Sequence, residues 1–194
     1  MPPVKGNSSR IISSLLFSFF LWTAFCLLPP SIASAATIEV DAATDDTLAN
    51  LDQPGNGVCS LREAIQNANT DTASQDDCSA GSGADEITFN GVSSITLVDD
   101  ISVITDIKIQ GTVALSGGNA TRIFTVGGSG FLRLVDVTLQ NGRDASGGAI
   151  LQNSTSSTVT CEGSTFENNT ASANGGAISS DGTLDIDGCS FEAN

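Results

Sequence analysis

The chain has 194 residues, with 22 Asp and Glu against 7 Lys and Arg and a net charge of −15. From Ala36 onward that length suffices for one domain with a sizeable core but not for two. With no His, no Tyr and only 15% charged residues, histidine-based acid–base chemistry, His-ligated metals and Ser-His-Asp catalysis are excluded. The excess of acid repels phosphate backbones and anionic lipid, so nucleic acid is not an expected partner.

The chain opens with Lys5 and Arg10 ahead of the apolar run Ile11–Leu28, closed by Pro29 and Pro30 and followed by the small residues Ser31 to Ala36. This order predicts an export signal, residues 1–35, with Ala33-x-Ala35 as the cleavage site. Its removal takes Lys5, Arg10, Cys26 and Trp22 but no acid, moving the net charge from −15 to −17. An uncleaved membrane anchor is the competing reading, since the apolar run is just long enough to span. Cys26 has no lipobox after it.

The turn-rich stretch Asp52 to Gly57 precedes Cys59-Ser60-Leu61-Arg62-Glu63-Ala64-Ile65. Ser60 with Glu63 reads as a capping box, and Leu61, Ala64, Ile65 and Ala68 fall on one helical face. A short helix over 61–68 is predicted, packing that face over the amino end of the fold, with Arg62 a solvated neighbour and Glu63 a cap rather than catalytic groups. Cys59 and Cys78 flank this helix and a polar loop and are the predicted disulfide of an exported protein. The acids Asp71, Asp76 and Asp77 lack a Ca²⁺-binding pattern and read as solvated, so no cofactor is expected.

From Asp85 the helical signal disappears. Short β-branched runs (Ile87 to Phe89, Ile95 to Leu97, Ile101 to Ile109, Arg122 to Val126) alternate with Gly, Ser, Asn and Asp. Gly147-Gly148-Ala149-Ile150 then recurs as Gly175-Gly176-Ala177-Ile178, a step of 28. Phe166-Glu167-Asn168-Asn169 recurs as Phe191-Glu192-Ala193-Asn194, a step of 25. Such periods predict a solenoid.

Counting back from each aromatic position, Val159 and Cys161 precede Phe166 by seven and five residues, and Leu184 and Ile186 precede Phe191 likewise. Leu132 and Leu134 stand in the same relation to Leu139. Residues two apart on a strand face one way, so these positions predict columns lining one interior. Cys161 falls in one column and Cys189, beside Ser164 and Val137, in another; burial as small thiols is the first reading and a disulfide the second. The glycine pairs are assigned to sharp turns. Asn169 and Asn194 are assigned to the next turn, bonding backbone and each other across coils.

On these residues the chain resembles two groups of exported bacterial proteins. Cys59 to Ile65 is similar to the signature of the CSLREA-type amino-terminal module, and the Gly-Gly-Ala-Ile and Phe-x-x-Asn pairs resemble the repeats of the polymorphic outer membrane protein family. The resemblance implies an all-β solenoid, a right-handed single-stranded parallel β-helix of the pectate-lyase-like kind with a short amino-terminal capping helix. It also implies a secreted or surface protein, outer-membrane associated and often adhesive. The carboxy-terminal membrane barrel of that family is not among these residues, so a membrane would be reached only through further chain.

The expected organisation is a signal over 1–35, a strand and capping-helix module over 36–84, and coils over 85–194. Because the sequence stops at Asn194 before a third Gly-Gly turn, it is expected to be the amino-terminal part of a longer protein. The expected function is a non-catalytic, adhesin-like or structural scaffold presenting an acidic face to a cell-surface protein or glycan. The alternative is a polysaccharide lyase or hydrolase, with Asp99, Asp100 and Asp106 beside Arg122, Arg133 or Arg143. These acids do not recur in the coil register. Asn119, Asn153 and Asn168 head glycosylation triplets of the kind that chance produces in so Asn- and Thr-rich a chain.

Overall fold

Alternation of apolar and small polar residues, interrupted every few positions by Gly or Asn, leaves the chain little choice but short strands and corners. The computed structural model describes residues 34–45 and 57–194; the leader up to residue 33, and Asp52 to Asn56 of the turn-rich stretch, lie outside the described residues. The stack and its cap belong to one compact unit, Ala33–Asn194.

Three parallel walls make up the solenoid. The first orders β1 (Thr37–Val40), β2 (Asp85–Phe89), β5 (Asp106–Gln110), β8 (Phe131–Val135), β12 (Thr158–Glu162) and β16 (Thr183–Asp187). The second orders β3 (Ser94–Thr96), β6 (Ala114–Ser116), β9 (Thr138–Gln140), β13 (Thr165–Glu167) and β17 (Ser190–Glu192). The third orders β4 (Ile101–Val103), β7 (Phe124–Val126), β11 (Ile150–Gln152) and β15 (Ile178–Ser180). Visiting the walls in turn gives about four turns of a parallel solenoid. Between the second and third walls, β10 (Arg143–Ser146) pairs with β14 (Thr170–Asn174) as a separate two-stranded ledge.

The interior is a set of columns in register. Ile107, Leu132, Val159 and Leu184 stack in one, Ile109, Leu134, Cys161 and Ile186 in a second, and Leu115, Leu139, Phe166 and Phe191 in a third. The rings of Phe166 and Phe191 lie parallel with centroids 4.8 Å apart. Each fully buried Ile, Leu or Phe contributes about 2 kcal/mol by leaving water. Within the last coil Leu184, Ile186 and Phe191 stay 39–47% exposed.

Corners are set by single residues in the left-handed region. Asp136, Gly163 and Gly188 (φ 58°, 59° and 63°) occupy one corner in three successive coils. This corner corrects the first reading of the last two cysteines: Cys161 and Cys189 are disulfide-bonded, with Cα atoms 6.3 Å apart. They belong to different columns, but the left-handed residue folds the chain so sharply that inward side chains on either side of the corner converge. The bond ties the last coil to the one before.

At the other end, α1 (Leu61–Thr70) begins with the full Ser60–Glu63 capping box and buries Leu61, Ala64, Ile65 and Ala68. Asn67, fully buried, donates to the carbonyls of Gln75, Cys78 and Ser79 and accepts from Gln75 N–H. That fixes the loop carrying Cys78, which is disulfide-bonded to Cys59. The helix packs on β4, β1, β2 and β5.

Among the described residues no strand lies beside the outer edge of β4, and side chains take a strand's place. Asn69 donates to Ser102 O (2.8 Å) and accepts from Ile104 N–H (3.0 Å). Arg62 donates to the carbonyls of Asp99 (2.6 Å) and Asp100 (2.9 Å), and Asp45 accepts from Val98 N–H (2.9 Å). Arg62 is therefore not a solvated helix residue: its side chain is 3% exposed and forms a two-pronged ion pair with Asp45 at 2.7 and 2.9 Å. Facing a strand edge, this helix position meets unpaired carbonyls instead of water, and a guanidinium satisfies several at once.

Two outcomes follow for stability. Arg62→Ala leaves the buried Asp45 carboxylate unpaired and is expected to lower unfolding free energy by about 3 kcal/mol or more, with Arg62→Lys restoring only a fraction, measured by urea denaturation. Replacing Cys161 and Cys189 together by Ser opens a loop of about 28 residues, worth on the order of 3 kcal/mol in the chain-entropy account. Hydrogen exchange should then show residues 183–192 losing protection before the inner coils.

Candidate functional site

Few charges are present, so where each cation goes decides what the surface can do. Arg122 sits in the bend leading into β7 and is 8% exposed. Its Nε donates to Gly147 O (3.1 Å), Nη2 to Ser146 O (3.1 Å), and Nη1 to Thr125 Oγ1 (3.0 Å). Asp144 lies 3.0 Å and Asp100 3.6 Å from the same guanidinium, and Thr125 Oγ1 donates to Asp100 at 2.5 Å. One side chain thus joins three successive coils at the Gly-Gly turn.

That turn requires glycine. Gly147 has φ 62°, and a Cβ there would strike the carbonyl of Ile150; a Cβ on Gly148 would strike the carbonyl of Gly176 in the next coil. Gly148 N–H donates to Gly176 O at 2.9 Å, and Gly175 repeats the conformation at φ 58°. Ala149 and Ile150 then enter the core beneath Ala177 and Ile178. Asn169, fully buried, accepts from Gly142 N–H (2.8 Å) and donates to Leu139 O (3.0 Å) and Asn194 Oδ1 (2.9 Å). Asn194 donates in turn to Phe166 O. The repeat residues are therefore hydrogen-bonded corners that bound the ledge.

Beside it runs an open groove of about 880 Å³, lined by Asn119, Ala120, Arg143, Asp144, Thr170, Ala171 and Ser172. Arg143 is exposed, and among the described residues it is the cation with no hydrogen bond or ion pair from its side chain. A guanidinium flanked by hydroxyls and an amide suits a polar ligand. The groove contains no aromatic ring on which a sugar could stack.

The residues weighed for polysaccharide cleavage are divided between walls. Asp99 and Asp100 lie in the bend before β4, where Asp99 accepts from Asp100 N–H and Asp100 faces Arg122. Asp106 and Arg133 form a 2.6 Å pair on the outer face of the first wall, with the Arg133 guanidinium 4.7 Å over the ring of Phe131. Lys108 and Glu86 pair beside them. Asp71 closes α1 in a left-handed conformation and accepts from Gly83 N–H. Among the described residues no three acids or sulfurs converge as metal ligands. Asn119, Asn153 and Asn168 are all exposed.

A second feature is a pair of acidic columns flanking the Asp136–Gly163–Gly188 corner. Glu162 lies in register with Asp187, and Glu167 with Glu192. Neighbouring strands stand about 4.8 Å apart, so each pair holds like charges closely opposed. The partners of Arg122 that sequence reasoning missed carry no signal of their own: Asp144 belongs to another coil, and Thr125, three residues on in β7, is one threonine among many.

The two arginines should behave oppositely. Arg122→Ala is expected to cost about 2 kcal/mol in urea denaturation, since it strips Ser146 O and Gly147 O of their donor. Arg143→Ala should stay within about 0.5 kcal/mol of the parent. Comparison of the chain with protein-family models, curated proteins and solved structures finds no match.

Proposed function

We propose that this protein is an exported, non-catalytic β-helix that docks a cell-surface protein or glycan along its flank. In this reading the leader of residues 1–35 directs secretion or surface display, and the coils wind right-handed, the sense that parallel crossovers adopt almost without exception. The resemblance of Cys59 to Ile65 and of the paired repeats to exported bacterial β-helices supports the same assignment.

The acidic columns carry the proposal. Glu162 over Asp187 and Glu167 over Glu192 oppose like charges at strand spacing, an arrangement that weakens a sheet. A face that costs stability and points outward suits recognition of a cationic or hydrogen-bonding surface. Arg122 and Arg133 are engaged in ion pairs that join coils, which leaves them poorly placed to act as the base of a lyase.

The test replaces Glu162 and Glu167 by Gln and Asp187 by Asn, and measures both stability and adhesion to cells and to a glycan array. Loss of adhesion with unchanged or slightly raised melting temperature is expected, and adhesion of the parent should weaken with salt. Unchanged adhesion rejects the acidic face as the docking surface. Release of reducing or unsaturated ends from pectin or alginate, lost on Asp100→Asn, would replace the proposal by the lyase reading.

A further inference from the structure

Asp85 opens β2 at a position whose register partner is Ile107, one of the inward-facing residues. An acid there is out of keeping with the column it heads: the residue is 1% exposed. Its Oδ1 accepts from Ser82 N–H at 2.8 Å and from Ala36 N–H at 3.2 Å, while Oδ2 is buried with no partner. A buried carboxylate oxygen without a donor is costly and rare in folded proteins. Burial accordingly pushes the Asp85 carboxyl above its ordinary pKa, and Asp71 and Asp106 push the same way, against the two backbone donors.

Ala36 is also the residue at which the sequence places the end of the export signal. Ser34 and Ala35 before it are exposed, whereas Ala36 is half-buried, its carbonyl accepting from Glu86 N–H at 2.8 Å at the start of the β1–β2 pairing. Removing residues 1–35 therefore takes no described residue out of the core. As a peptide, Ala36 nitrogen offers one proton and no charge. As a free α-ammonium it offers three protons and a positive charge at the same place.

We propose that cleavage between Ala35 and Ala36 creates an amino-terminal ammonium that pairs with the buried Asp85 carboxylate and locks β1 onto the stack. The step is a hydrolysis by a processing protease. Water supplies the hydroxyl to the Ala35 carbonyl as the C–N bond breaks, and a proton passes to the Ala36 nitrogen, which is protonated again at neutral pH. One N–H keeps its bond to Oδ1 and a second reaches the orphaned Oδ2, so removal of the leader completes the fold it leaves behind. The inference rests on the export reading given above, which supplies the cleaved bond, while the ion pair rests on the geometry alone.

The experiment compares residues 36–194, released from an amino-terminal fusion by a protease that leaves Ala36 first, with the same chain carrying one additional Gly before Ala36. The free-Ala36 chain is expected to melt higher by about 4 °C or more, and the gap should close when both carry Asp85→Asn. Should the Asn variant fail to fold, acylation of the α-amine decides. An amine paired with a carboxylate should react at least tenfold more slowly in the folded than in the unfolded chain, as one pKa unit is tenfold in reactive free amine. Equal melting temperatures, or equal acylation rates, overturn the ion pair. Separately, amino-terminal sequencing of the full chain recovered after export should begin at Ala36; another first residue overturns the processing step, whatever the melting data give.

Discussion

A parallel strand turns half of its backbone groups toward the coil above and half toward the coil below. In a stack that repeats this arrangement, every interior N–H and C=O finds a partner by translation alone, and the only unsatisfied groups are at the ends. Much else in this molecule answers to that constraint. The cap satisfies it at the first coil without a strand: Asn69 presents an amide with the donor and acceptor of a peptide group, Arg62 supplies donors to two successive carbonyls, and Asp45 accepts from Val98. The capping box and the Cys59–Cys78 bond hold the helix that carries Arg62 and Asn69.

The same constraint governs the polar interior. Asn169 is buried because it stands at a corner where the ladder is interrupted, and its side chain reconnects Gly142, Leu139 and Asn194 across coils. Arg122 does the equivalent at the Gly-Gly turn, where the backbone crosses too closely for a side chain and two carbonyls face inward. The cations here act chiefly as staples between coils, which is why Arg143 alone of those in the described residues is left to the groove.

How much of this the sequence disclosed depended on whether a feature repeats. The columns through Leu132, Val159 and Leu184 and through Leu139, Phe166 and Phe191 were legible because the same arithmetic recurs in three coils, and the register agrees with it. The helix was legible from local capping chemistry at Ser60 and Glu63. The Cys161–Cys189 bond was not, since the counting places the two residues in separate columns and says nothing of how acutely the corner closes. Arg62 was read as solvated because a helical wheel shows which face is apolar but not that a strand edge lies against its margin. Asp85, an acid at the head of a strand, gave no sign that its side chain points inward, since a single residue defines no period.

The ledge has a consequence of another kind. Along the second wall the steps from Ile95 to Leu115, Leu139, Phe166 and Phe191 are 20, 24, 27 and 25 residues, yet every strand of that wall keeps three residues and its register. The surplus is carried outside, in part by β10 and β14. Length thus varies most at this flank, where the connection from the second wall to the third grows from 4 to 10 residues, and less from the third wall to the first, where it runs from 2 to 5, so this scaffold is a rod with a graftable margin. Segments of different length and chemistry can be spliced between the second and third walls, coil by coil, and each would be displayed at a known height on an axis that the insertion leaves unchanged.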